Sequence, residues 1–380
     1  MSSRKHGRQT IALILVLSLS LNLLLGIWVV TNYAEVNRLI KVVSLIKTRS
    51  LEPATSAQML EGVIRGVVAS LNDPYSTYLG VREYEDLMIH IQGSFGGLGV
   101  LVGIRDNRLT VGAPPFKDTP AERAGLRSGD IIVQIDERKT DGMDIDTAIA
   151  LMRGEPGTKV RLSIERAGQE ELLEVTLTRE IINLPSVQSR ILEEDPRIGY
   201  VRLINFSAST AEDLNDSLEE LQHQKIKGVV LDLRNNGGGD FEICLEVARR
   251  FVPQGPVVRV IGRNNQEEIF EAEGGFLGLP LVVLVNDLTA SASEIVAGAI
   301  KDRATGTLVG TRTFGKGRVQ AVFPLTAGTG VKLTTHKYLT PGGHDIDQKG
   351  IAPDIEVKMS PDSPKDLQLQ KAIEVLKFQI

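Results

Sequence analysis

The stretch Asn286 to Gln320, NDLTASASEIVAGAIKDRATGTLVGTRTFGKGRVQ, holds both a candidate nucleophile and a candidate base. Ser291 lies among small residues after the apolar run LPLVVLV, and Lys316 lies between glycines with Gln320 following at i+4. We read Ser291 as a nucleophile and Lys316 as its base. A serine at its free pKa attacks poorly and needs a group to take its proton. The five histidines, His6, His90, His223, His336 and His344, stand in no motif that pairs one with an acid or a second histidine. A lysine can serve instead if it is neutral, and burial or nearby positive charge disfavours the ammonium form.

Pro280 to Val285, rich in Val and Leu, reads as a buried strand, and Ile295, Val296 and Ile300 recur at helical spacing over Ser293 to Lys301. Ser291 then sits where a strand ends and a helix begins, and N–H groups left free at the helix start are available to an oxyanion. Helix N-caps use the same residue types, so Thr289, Ser291 and Ser293 all qualify as caps, more than one helix needs. Gln320 offers a side-chain hydrogen bond that would orient the Lys316 amine. On a regular strand the two stand about 13 Å apart, so their meeting requires a helical turn or a sharp bulge between Gly315 and Gln320.

Further upstream, IKGVVLDLRNNGGGD reads as a buried strand and a glycine turn, followed by a helix from Phe241 to Phe251. Consecutive glycines let backbone N–H groups approach a reacting carbonyl, which suits an oxyanion hole. No Gly-Lys-Ser/Thr or G-x-G-x-x-G follows, which sets aside a phosphate loop. Cys244, the one cysteine of the chain, reads as a small core residue and excludes an internal disulfide or a Cys-cluster metal site.

These residues resemble the carboxy-terminal processing peptidases, or tail-specific proteases. The resemblance rests on Ser-Ala-Ser-Glu from Ser291, Phe-Gly-Lys-Gly around Lys316, Gln320, Asp-Pro-Tyr-Ser-Thr-Tyr from Asp73, and GIAPDIEV from Gly350. It implies Ser291 as nucleophile, because the family's serine is the one followed by Ala-Ser-Glu. It implies Lys316 as general base and Gln320 as the residue that positions it. It further implies an oxyanion hole from Gly238 or Gly239 with the amide of Ala292, although many members carry Pro where this chain has Gly237. Asp302 matches a family acid that we take as structural. His336 and His344 stand where the family leads one to expect other residues, which keeps a Ser-His pairing open.

The elements that position these groups fall into blocks. Residues 92–182 form a β-rich module with strands in SFGGLGVLVGI, DIIVQID, VRLSIER and LLEVTLTR. Its order resembles a PDZ domain, which implies capture of a peptide at a sheet edge, with Gly96, Gly97, Leu98 and Gly99 as the loop that takes the carboxylate. Residues 183–358 read as an α/β peptidase core, a mixed, partly parallel sheet with flanking helices. Residues 359–380 end in a helix with Leu369, Ile373 and Leu376 on one face, placed on the core or on a partner subunit. Residues 31–91 form a helical region whose first helix carries Val36, Leu39, Ile40, Val43 and Ile46 as a stripe. The stripe suits a stalk, a membrane-surface helix or a dimer contact. The resemblance implies a homodimer through the terminal helices.

A net charge of −5 and a pI near 5.7 argue against a nucleic-acid partner. Residues 1–10 carry Arg4, Lys5 and Arg8 with no acid, and residues 11–30 carry no charge. That pattern fits a transmembrane anchor with a cytoplasmic N-terminus, Trp28 and Tyr33 near the outer interface, and the catalytic region on the extracytoplasmic side. A cleaved signal peptide competes, but the apolar stretch is long and GIWVVTNYAE lacks an A-x-A-like site. The combined expectation is a single-pass serine endopeptidase of the cell membrane, gated by its PDZ domain. Its substrates would be proteins or peptides with exposed C-terminal tails, and no metal or cofactor is implied. The alternative is a non-proteolytic PDZ scaffold.

Overall fold

The runs GVVLD and LVVLV show no polar alternation, and in the computed structural model each is buried along its whole length. Such runs belong to strands covered on both faces. The structure describes residues 33–359, 363 and 365–380, with Ser18 and Ser20. It divides into two units, Met1–Tyr78 and Leu79–Ile380.

In the first unit, α1 (Tyr33–Arg49) follows the expected stripe and buries no residue. Helix α2 (Ser56–Ala69) starts at Thr55, whose hydroxyl accepts from the Gln58 N–H while the Gln58 side chain accepts from the Thr55 N–H. Leu39, Ile40, Leu60 and Val67 stay exposed. No helix among the described residues is long and apolar enough to cross a membrane. The span expected at 11–30, with Trp28, lies outside the described residues apart from Ser18 and Ser20.

The second unit begins with α3 (Val81–Gln92), which ends on Gly93 at a left-handed φ of 70°. β1 (Ser94–Gly97) then opens the β-rich module. Within it β2 (Val102–Arg105), β3 (Arg108–Val111), β4 (Ile131–Ile135), β5 (Lys159–Glu165) and β6 (Leu173–Thr178) form an antiparallel sheet in that order, so β2 is an edge. Helix α4 (Ile145–Met152) contributes Ala148 and Met152 to a core with Leu109, Ile132 and Leu162. The closing strand β7 (Glu180–Asn183) pairs with β1.

Two further sheets build the remainder from β8 (Val187–Leu192), β9 (Asp195–Leu203), α5 (Thr210–His223), β10 (Gly228–Asp232), α6 (Phe241–Arg249), β11 (Gly255–Ile261), β12 (Glu267–Ala272), β13 (Leu281–Val285), α7 (Ala292–Asp302), β14 (Thr307–Gly310), β15 (Arg318–Pro324), β16 (Gly330–Leu339), β17 (Ile355–Glu356) and α8 (Leu367–Lys377). The first runs β8-β9-β10-β13-β14-β17, parallel from β9 onward with β8 antiparallel at its edge. The mixed, partly parallel sheet is therefore present. The second pairs β11 with β12 and β16, and β15 with β16, all antiparallel. Its strands are hard to see in the sequence, because polar residues on the exposed faces hide the apolar alternation in EEIFEA and VKLTTHKYL.

Alternation within the buried strands assigns the two faces of the parallel sheet. Leu231, Val283 and Val285 meet α5, α6 and α7 through Leu214, Leu218, Val247, Ile295 and Val296. Val230, Val282 and Leu284 meet Ala372, Ile373 and Leu376 of α8 on the other. Helix α8 thus docks on its own core. Its N-cap Asp366 accepts from the Arg234 guanidinium at 2.9 and 2.8 Å just beyond β10. The loops after β10 and β13 leave the carboxyl ends of neighbouring parallel strands, the edge at which α/β sheets place ligands.

Leu376 is fully buried. Leu376→Ala is expected to cost about 2–5 kcal/mol of stability, since deleting buried methyl groups leaves a cavity under the helix. Urea unfolding followed by circular dichroism checks this, and an unchanged midpoint would refute the docking.

Candidate active site

Strand β13 delivers the chain to a turn that is tied down at each step. The Asn286 N–H donates to Thr289 Oγ1 at 2.9 Å, the Thr289 hydroxyl donates to Leu233 O at 2.9 Å, and the Ala290 N–H donates to Asn236 O at 3.0 Å. Ser293 Oγ donates to Asn236 O at 3.0 Å. Thr289 and Ser293 are buried with their hydroxyls engaged, whereas Ser291 lines an open cavity. Of the three hydroxyls, the one on Ser291 belongs to a residue that lines the cavity. Ser291 has φ 56° and ψ −118°. A side chain in such a conformation carries strain of about 1–3 kcal/mol that the surrounding structure must hold, as at the strand-to-helix turns that expose nucleophiles.

Glu294, one turn into α7, provides that hold. Its carboxylate is wholly buried. Oε2 accepts from the Ser291 N–H at 3.0 Å and the Lys316 N–H at 2.8 Å, and Oε1 accepts from Thr313 Oγ1 at 2.5 Å and the Gly315 N–H at 2.7 Å. Burial pushes the Glu294 carboxyl up, and these donors act against it. One carboxylate therefore holds the Ser291 turn and the Lys316 loop. Sequence alone assigned it no role, although it is the glutamate of Ser-Ala-Ser-Glu; its place at N3 of a helix headed by a serine was the available signal. The Tyr338 hydroxyl makes a second tie, lying 2.6 Å from Lys316 O and 3.1 Å from Ser291 O.

The glycine before Lys316 allows close approach, as expected. Gly315 has φ 88°, and a Cβ there would stand 2.7 Å from Gly350 N. Burial pulls the Lys316 ammonium below the usual lysine range, the positive charge of Lys332 adds to this, and Glu294 opposes it. Gln320 lies on β15, where the pairing with β16 slips between Val319 and Gln320. The extra residue there is Thr335 of β16 and not a residue of the Gly315–Gln320 segment, where the turn or bulge was expected; Gln320 and Lys316 both line the cavity with Ser291. Gln320 Nε2 donates to Thr334 Oγ1 at 3.4 Å.

The glycine turn separates the expected oxyanion donors. Gly238, at φ 102°, packs so close that a Cβ would stand 2.8 Å from Ser291 Cβ, but its N–H donates to Asn236 Oδ1 at 2.9 Å. Gly239 and Ala292 line the cavity, and their N–H groups have no partner among the described residues. The donor pair that the structure leaves free is Gly239 with Ala292; Gly238 is held by the side chain that shapes the turn.

The cavity, about 360 Å³, has apolar walls from Leu87 and Ile91 of α3, Phe241, Ile295 and Val322. His90 is the histidine that faces it. His336 sits beside Thr335 and His344 beside Thr340, neither lining it, so a Ser-His pairing through either loses its basis. Asp302 accepts from the Gly342 N–H at 2.7 Å, a tie that fixes a turn. The Cys244 thiol is buried against Ala292 O at 3.2 Å. No group of His, Cys, Asp or Glu among the described residues is placed to hold a metal ion.

A second cavity, about 290 Å³, lies beside β2 and α4 of the β-rich module. Gly97, Leu98 and Gly99 line it with Val102, Phe116, Ile149 and Met152. The N–H groups of Leu98, Gly99 and Val100 have no partner among the described residues. An apolar groove beside an edge strand, ending in free amides, can add a peptide as a strand and take its carboxylate. Gly96 departs from expectation. It lies in β1, where its carbonyl accepts from the Gly154 N–H at 3.1 Å, and it does not line the groove.

Comparison with known proteins adds to the geometry. The family model of peptidase family S41 matches residues 197–357, a PDZ domain model matches residues 117–166, and the model of the N-terminal domain of the activating protease CtpB matches residues 28–82. The carboxyl-terminal-processing protease of Synechocystis sp. is 40% identical over 325 residues, covering 82% of this chain and 76% of that protein. The carboxy-terminal processing protease CtpA of Bacillus subtilis is 35% identical over 337 residues, covering 88% of this chain and 71% of that protein. A solved structure of the photosystem II D1 C-terminal processing protease is 34% identical with a TM-score of 0.50, covering 87% of this chain and 89% of that one.

Tyr338→Phe removes one tie between the Ser291 and Lys316 backbones and leaves the ring. It is expected to lower kcat about tenfold with KM little changed, and to cost about 0.5–1.5 kcal/mol of stability. Steady-state kinetics beside thermal unfolding check this; a rise confined to KM would show that the phenol meets substrate instead.

Proposed function

The chain belongs to peptidase family S41 and is a C-terminal processing serine peptidase with a PDZ domain, and on that premise we propose that Ser291 is its nucleophile, Lys316 its general base and Gln320 the residue that orients the lysine. The observation that carries this is the joint placement of Ser291, Lys316 and Gln320 in one cavity with the free N–H groups of Gly239 and Ala292. Neutral Lys316 takes the Ser291 proton as Oγ attacks the scissile carbonyl. The oxyanion rests on the two N–H groups. Lys316 then protonates the leaving amine, and, neutral again, takes a proton from the water that attacks the acyl group and returns it to Ser291 Oγ as the acyl group leaves.

Substrates of this class are proteins with exposed C-terminal tails, and the groove beside β2 is our assignment for the tail. Access to Ser291 is gated by the PDZ domain. What supports this is α3, whose Asp86 pairs with Arg153 at the groove at 3.1 Å while Leu87, His90 and Ile91 of the same helix line the catalytic cavity. Residues 11–30 anchor the chain as a single span, with the catalytic region on the extracytoplasmic side, on the strength of their uncharged run and basic flank. A homodimer would use the exposed apolar residues of α1 and α2, since the apolar face of α8 is already covered.

The deciding experiment follows cleavage of an unstructured protein with an apolar C-terminal tail by the full chain. Ser291→Ala and Lys316→Ala are each expected to lower turnover by at least about 10³-fold, because members of such a unit fail together. Tail binding without cleavage by the intact protein would favour the scaffold reading. Gating is tested by removing residues 93–181. The shortened protein should cut an untethered peptide faster than the intact chain at rest, and an equal or lower rate counts against the gate.

A further inference from the structure

The hairpin of β15 and β16 turns one face toward Ser291. Its register sets Val322 opposite Lys332 and Gln320 opposite Thr334, and Gln320, Val322 and Lys332 all line the catalytic cavity. Lys332 is partly buried, and among the described residues its ammonium forms no hydrogen bond or ion pair.

The groups around it show what it opposes. Glu294, from α7, accepts from the Lys316 N–H, and its attraction favours the ammonium form of Lys316. The clamp therefore pulls the base toward the wrong protonation state. Of the other charges lining the cavity, Arg318 is paired with Asp347 at 2.8 Å, and Asp240 caps α6 through the Ile243 N–H at 3.1 Å. His90, from α3, adds positive charge only when protonated. Lys332 is the cation of this cavity that no described residue offsets.

We propose that Lys332 is a positioning residue that acts through charge: its ammonium opposes protonation of Lys316, cancels the pull of Glu294, and leaves the Lys316 amine free to take the Ser291 proton. The inference rests on the Ser-Lys reading. Two ammonium groups lining one cavity repel, and the repulsion favours loss of the proton from the more buried of them. Burial of Lys316 acts in the same direction and survives the loss of Lys332, so the effect is a shift and not an abolition.

The test measures how fast a fluorophosphonate acylates Ser291 in the full chain, across pH and with a saturating C-terminal tail peptide present. The rate rises with pH as Lys316 loses its proton. Lys332→Met is expected to move that limb up by about one pH unit, which is about tenfold slower below the limb and equal on the plateau. Lys332→Arg keeps the charge and should keep the wild-type limb. Raising the salt concentration should move the wild-type limb toward that of Lys332→Met while moving the variant less. A loss by the same factor at every pH, or a limb that stays in place, overturns the proposal. If thermal unfolding shows that Lys332→Met does not fold, Lys332→Gln and the wild-type salt series decide between the same two outcomes. Undiminished acylation of Lys316→Ala would instead sink the Ser-Lys reading itself.

Discussion

The active site depends on one buried carboxylate. Glu294 accepts from the Ser291, Gly315 and Lys316 amides and from the Thr313 hydroxyl, so two segments far apart in sequence share one acceptor. An ionised carboxylate away from water is tolerated only when its lone pairs are matched by donors. That requirement makes the arrangement cooperative. If the loop before Lys316 leaves, the carboxylate loses three donors and the positive-φ turn at Ser291 loses its partner. The strained turn at Ser291 and the buried charge of Glu294 are thus held by the same set of hydrogen bonds.

The clamp also sets a difficulty for the chemistry. A negative group beside Lys316 favours its ammonium form, whereas the general-base role proposed for it needs the amine free. Burial of Lys316 and the cation at Lys332 both work against the carboxylate. The site is thus a balance of opposed electrostatic effects around one amine, held in place by the backbone.

Two structural layers carry this balance. The parallel sheet, buried on both faces, brings the glycine turn after β10 beside the serine turn after β13, because those strands are neighbours. The antiparallel sheet brings Lys316, Gln320, Lys332 and Tyr338 to the same place from the other side. Helix α3 closes one wall of the cavity and reaches the groove of the β-rich module through Asp86, so the two sites share an element.

Local signals were enough for much of this protein. Unbroken Val and Leu runs announced buried strands, helical spacing announced α7, and the glycines around Lys316 announced close backbone packing. Those features depend on neighbours in sequence; the distortion expected between Gly315 and Gln320 was placed on the wrong strand, since the slip falls at Thr335 of β16, which only the pairing of the two strands sets. The reading of Ser291 over Thr289 and Ser293 rested on the family motif, and the fold accords with it by engaging the other two hydroxyls with the Leu233 and Asn236 carbonyls. What sequence could not supply were pairings between distant segments. Gly238 and Gly239 look alike in Gly-Gly-Gly, and only the Asn236 side chain decides that one N–H is used and the other free. Gly96 belongs to a strand because β7 returns to pair with it. The reach of Glu294 to the Lys316 loop, and the company of Lys332, depend on how two sheets pack. Packing between elements is set by the whole set of buried faces at once, and no local pattern records it.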